Sequence, residues 1–131
     1  MTVCLRPPGV FIDDTYTFIR SARADRPEVE WLPIWEYGAF LDARDLAAAV
    51  VAALTESNLS GHHRLLVCAN DISSAKDDSL TLASRLVPDV PVIELQRFAV
   101  RPFAALLNSS AAQDLLGWRP VHLWRPADQI A

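Results

Sequence analysis

The sequence holds a single lysine, Lys76, and its arginines form no cluster. With a net charge of −4 at pH 7, it lacks the basic stripe that phosphate backbones require, which excludes a nucleic-acid binder. Glycine is equally scarce. Gly9, Gly38, Gly61 and Gly117 are scattered, and no two stand close enough to let a backbone cradle a pyrophosphate. Only two cysteines occur, Cys4 and Cys68, each inside an apolar run, so both are expected to be buried reduced thiols in a cytoplasmic protein. The opening Met1 to Pro8 lacks the basic and apolar regions of a signal peptide. The longest charge-free run in a helical segment, Leu46 to Thr55, is far short of the ~20 residues that cross a bilayer, so no membrane partner is expected. His62 and His63 are adjacent in a turn and cannot converge on a metal without further ligands, and Ser109 and Ser110 have no histidine at triad spacing. Neither a metal site nor a small hydrolase is expected.

What remains is a chain of 131 residues, 51 % hydrophobic and 21 % charged, the size and composition of one ordered domain spanning 1–131. The apolar share fits either a dense core or a face normally covered by another domain.

Thr2 to Leu5 reads as a buried strand, stopped by Arg6-Pro7-Pro8-Gly9. Asp13 and Asp14 favour a helix start, and Tyr16, Phe18 and Ile19 recur at helical spacing, which predicts a helix to about Ala24. Asp25 to Tyr37 carries Pro27, Pro33, Trp31 and Trp35 and reads as an aromatic loop. After the apolar run Gly38 to Leu41, Asp42 is placed to cap a helix and Asp45 to return the bond at the third position, with Arg44 able to pair with either acid. Leu46, Ala49, Val50, Ala53 and Leu54 would form the buried face of that helix.

Arg64 to Ala69 reads as a strand buried on both faces, and a helix between two such strands implies parallel pairing. A further helix is predicted from about Asp78 to Leu86, stopped at Val87-Pro88, and Val90 to Leu95 as another strand. Asn108 or Ser110 can cap a last helix through Leu116, with Gly117 as its left-handed stop and Trp118 packing back on the body.

Three segments, in order, resemble the second half of extended short-chain dehydrogenases, the NAD-dependent epimerase/dehydratase family. They are Leu5-Arg6-Pro7-Pro8-Gly9-Val10-Phe11, Phe40 to Ala49 (Phe-Leu-Asp-Ala-Arg-Asp-Leu-Ala-Ala-Ala), and Ala105 to Pro120 with its Leu116-Gly117-Trp118 close. The resemblance implies a partial Rossmann-like α/β fold, with few parallel strands, crossover helices and a small substrate-binding subdomain.

It further implies that NAD or NADP is the cofactor of the complete protein. Pro7, Pro8, Gly9 and Val10 would contact that cofactor only if a Rossmann half is supplied. Phe11, Trp31 and Trp35 would face the substrate, and Arg97 and Arg101 would meet a substrate phosphate, as in nucleotide-sugar members of the family. After Phe11, the chain has Ile12-Asp13 where the family usually turns with a glycine.

The family's tyrosine and lysine, one helical turn apart, have no counterpart here. Arg20 follows Tyr16 by four residues, Leu41 follows Tyr37, and Lys76 follows Ile72. The chain is therefore expected to be a substrate-binding portion with no catalytic residues of its own, inactive alone and dependent on a Rossmann-half partner or a homo-oligomer. The alternative is a non-catalytic interaction or oligomerisation module derived from the same fold.

Overall fold

The computed structural model describes residues 1–27 and 36–126, so Trp31 and Trp35 lie outside the described residues. Among the described residues, four of the five helices lie close to where the local signals place them, and the helix at Leu95–Val100 is not expected from sequence. β1 (Thr2–Arg6) and β2 (Gly9–Phe11) flank the two prolines, and α1 (Asp13–Asp25) starts behind its acidic first turn. β3 (Phe40–Asp42) runs straight into α2 (Ala43–Thr55), because Asp42 closes the strand and caps the helix by accepting the Arg44 amide at 2.8 Å. β4 (His62–Leu66), α3 (Ser79–Leu86), α4 (Leu95–Val100) and α5 (Ser110–Leu116) complete the described elements.

The chain is thus mixed α/β, with four short strands and five helices among the described residues. Both ladders are parallel, as the helical crossovers demand. β1 pairs with β4 in the register Thr2 to His62, and β2 pairs with β3 in the register Gly9 to Phe40. The backbone beyond β4 ties the two ladders together: the Val67 amide donates to the Arg6 carbonyl and the Ala69 amide to the Phe40 carbonyl. Among the described residues no helix is long and apolar enough to cross a membrane.

Two apolar clusters follow from this layout. In the larger, Leu41, Ala49, Ala53, Leu65, Val67, Ala112, Leu116 and Trp118 bring β3, α2, the β4 exit and α5 together. In the smaller, Phe11, Ile19, Phe40 and Ala69 sit beneath Tyr16 and Trp124. Gly117 ends α5 at φ 60, a left-handed turn that favours glycine, and Trp118 then folds back as expected, its indole donating to the Asp45 carbonyl at 3.0 Å.

Four expectations are corrected. Cys4 is exposed rather than buried, because β1 alternates between exposed and half-buried residues along its length; Cys68 is buried. The strand expected at 64–69 begins earlier, at His62, and ends at Leu66, where the chain leaves β1 to bond with β3; its buried run continues through Ala69 without strand pairing. Residues 90–94 form no strand. Val90 and Ile93 are exposed there, Pro91 offers no amide for a ladder, and the left-handed Glu94 starts α4 instead.

On α2, the buried apolar residues are Ala49 and Ala53 with Leu46 half-covered, while Val50 and Leu54 face outward. The small alanines let the helix approach β3 and α5. Leu41→Ala should therefore cost about 2–5 kcal/mol, whereas Leu54→Ser should shift stability by no more than about 0.5 kcal/mol. Urea unfolding of the two variants checks this, and comparable losses would place the buried face of α2 wrongly.

Candidate functional site

Tyr16 on α1, Asp42 at the β3–α2 junction and residues 121–126 enclose a cleft of about 680 Å³. Its floor is built from local chemistry. Arg44, two residues into α2, closes a fork on Asp42, with Nε donating to Oδ1 at 2.8 Å and Nη2 to Oδ2 at 2.7 Å. The Tyr16 hydroxyl donates to the same carboxylate at 3.0 Å. The Arg44 guanidinium holds the Asp42 carboxyl well below the usual carboxylate range, against the opposing effect of burial. Burial, and then the bond to Asp42, push the Tyr16 phenol well above the usual tyrosine range. Tyr16 is thus fixed as a neutral donor, the opposite of a phenol tuned to exchange protons at neutral pH.

The far wall is held by two buried acids. Asp45 does not return a capping bond to Asp42, which corrects the expected capping box. Its Oδ2 accepts the Val121 and His122 amides at 3.1 and 2.9 Å, and its Oδ1 accepts the His122 ring Nδ1 at 2.9 Å. The acid is free for this because residues 121 and 122 come back over the first turn of α2.

Asp71 does the same three residues further on, accepting the Trp124 amide on Oδ1 at 3.1 Å and the Arg125 amide on Oδ2 at 3.0 Å. Arg125 then donates to the Ile72 and Ser74 carbonyls and lies 3.8 Å over the Phe103 ring. Between these anchors, Trp124 stacks on Tyr16 at 5.8 Å and meets Phe11 and Phe40 edge-on.

The residues expected from sequence to form one site are divided. Gly9 sits at the start of β2 and its amide donates to Glu36 Oε2 at 2.8 Å; a Cβ there would lie 3.0 Å from that oxygen. Pro7 and Pro8 form the link between β1 and β2, and Val10 is exposed. Phe11 is buried behind the aromatic wall rather than lining the cleft, stacked on Phe40 at 5.0 Å.

Arg97 and Arg101 come together elsewhere, in a polar cup of about 320 Å³ that they share with Asn70, Ser109, Ser110 and Gln113. Within the cup, Asn108 accepts the Ser110 amide and Ser109 accepts the Gln113 amide group, so the cup's wall is the start of α5. Among the described residues no group of three or more histidine, cysteine or acidic side chains is placed to hold a metal. Buried Cys68, whose thiol is pushed up by desolvation and donates to the Leu107 carbonyl, carries no reactive thiolate.

Sequence reasoning missed Asp71, His122 and Trp124. For Asp71 a signal existed, an acid only two residues beyond the apolar run ending at Ala69. Comparison with family models, with curated proteins and with solved structures found no match.

Burial raises the Asp71 carboxyl from 3.8 to about 6, with the Arg125 and Trp124 amides and the Arg125 charge opposing it. The folded chain therefore binds this proton more tightly than the unfolded chain, so the group's contribution is greatest below about pH 4 and is lost as pH rises through about 6. Asp42 acts in the opposite sense, its contribution being lost below about pH 4. Urea titrations from pH 4 to 7 should show stability falling by up to about 3 kcal/mol through Asp71. Asp71→Asn should flatten that slope, and an unchanged slope in the variant would contradict the assignment.

Proposed function

We propose that this chain is the substrate-binding portion of an NAD(P)-dependent epimerase, dehydratase or reductase, active only when joined by a dinucleotide-binding Rossmann half. The observation that carries the reading is β1. Among the described residues it pairs with β4 alone, with no strand on its other edge, and its residues are only exposed or half-buried. Parallel strands are otherwise found with both faces covered, so this sheet is of a kind completed by further strands and helices.

Three structural details support the same reading. The first resembling segment spans the β1–β2 link, the second spans the β3–α2 junction, and the third spans α5 and its left-handed Gly117 stop. Parallel pairing through helical crossovers is the strand arrangement of Rossmann-like sheets. Arg97 and Arg101 in one polar cup suit the anionic group of a substrate. In this assignment the chain contributes substrate contacts, while cofactor grip and proton transfer belong to the partner half. Tyr16, locked as a donor to Asp42, has no part in the chemistry.

A second reading, a non-catalytic interaction module, is favoured by the outward apolar row Val50, Val51 and Leu54 on α2. Light scattering that finds a clean monomer removes its main support. Calorimetric titration of the purified chain with NAD(H) or NADP(H) should give no saturable heat, and micromolar affinity would overturn the leading reading.

A further inference from the structure

The polar cup at Arg97 and Arg101 adjoins a second space. A groove of about 410 Å³ has Glu94, Arg97, Leu107 and Asn108 in common with the cup's lining, so the two are neighbours and together make up a trough. The groove is different in kind from the cup. Val87, Val90, Val92, Ile93, Phe98 and Leu106 give it an apolar lining, and among the described residues its far end offers no side-chain donor or acceptor apart from the Tyr37 hydroxyl.

Ile93 is 81 % exposed and Val90 58 % exposed, a hydrated cost that an apolar occupant would remove. The two non-glycine residues with left-handed backbone among the described residues, Tyr37 at φ 57 and Glu94 at φ 60, both line this groove. Non-glycine residues in that region are uncommon and persist only where the surrounding structure holds them, and here they lie along one wall and at the side shared with the cup.

We propose that the trough binds an amphipathic anion, an apolar chain or ring lying in the groove with its phosphate or carboxylate held by Arg97 and Arg101. The inference deepens the function proposed above and rests on its assignment of the two arginines to a substrate anion. A nucleotide sugar fits this trough poorly. Its base and hydroxyls would give up hydrogen bonds to water against an aliphatic wall that cannot replace them, whereas a hydrocarbon body gives up none. Charge settles the orientation. The two guanidiniums outnumber the single Glu94 carboxylate at the junction, so the anionic end lies in the cup and the apolar end in the groove.

The test is calorimetric titration of the purified chain with octyl phosphate and octanoate below their micelle-forming concentrations, set beside octanol, inorganic phosphate and uridine diphosphate. Octyl phosphate should bind saturably, with octanol and inorganic phosphate each weaker by at least about tenfold. The octanoate titration tells whether a carboxylate serves as well as a phosphate head.

Arg97→Gln should weaken octyl phosphate by about tenfold and leave octanol unchanged. Ile93→Asn, at an exposed position, should weaken octyl phosphate and octanol together. Uridine diphosphate binding more tightly than octyl phosphate would overturn the inference while leaving the proposed function standing. Octyl phosphate binding that ignores Arg97→Gln would overturn the inference and remove the anion assignment, one of the details that support the proposed function. Absence of any saturable heat with octyl phosphate overturns the inference.

Discussion

Asp45 and Asp71 each turn a buried carboxylate onto two backbone amides of one stretch near the end of the chain, Val121 with His122 and Trp124 with Arg125. A buried carboxylate is tolerated only when its oxygens are met by donors, and a backbone running past the core is tolerated only when its amides are met by acceptors. Each requirement answers the other. The pairing fixes where Trp124 lies, and Trp124 in turn covers Phe11, Phe40 and Tyr16, the smaller of the two apolar clusters. One wall of the large cleft, the stacking of α1 on the sheet and the seat of Arg125 all follow from four hydrogen bonds.

The same arrangement separates structural polarity from polarity that remains open to a ligand. Asp42, Arg44 and Tyr16 have the residue types of a proton-transfer site, yet the fork and the phenol bond hold each in one charge state. Their electrostatics are those of a joint between β3, α2 and α1. Arg97 and Arg101 differ in that, among the described residues, no carboxylate fork closes on them as Arg44 closes on Asp42, and the polar cup they line adjoins an apolar groove. The proposed ligand site is therefore the trough beside α4 and α5, while the bonds described at the cleft between α1 and the 121–126 stretch hold the fold together.

Signals acting within a few residues were legible in the sequence. Asp42 before Ala43 and Gly117 after Leu116 mark helix ends through bonds or turns that involve near neighbours, and each appears where expected, while Asp78, read as the approximate start of its helix, is the cap one residue before it. The apolar run at 90–95 misled because periodicity cannot tell a strand from a groove wall, and Pro91 with the left-handed Glu94 decided against pairing. Asp45 was legible as an acid in a first helical turn but not as an anchor, since its partners are 76 and 77 residues away. Asp71 and Trp124 have the same character, joined across 53 residues. The order of the three resembling segments suggested parallel strands with helical crossovers, and both ladders are parallel.

Amide hydrogen exchange followed by NMR addresses the paired carboxylates most directly. The Val121, His122, Trp124 and Arg125 amides should exchange as slowly as the buried amides of α2, because each donates to a carboxylate shielded from water. Exchange of these four at the rate of unprotected peptide amides, with α2 still protected, would contradict the account.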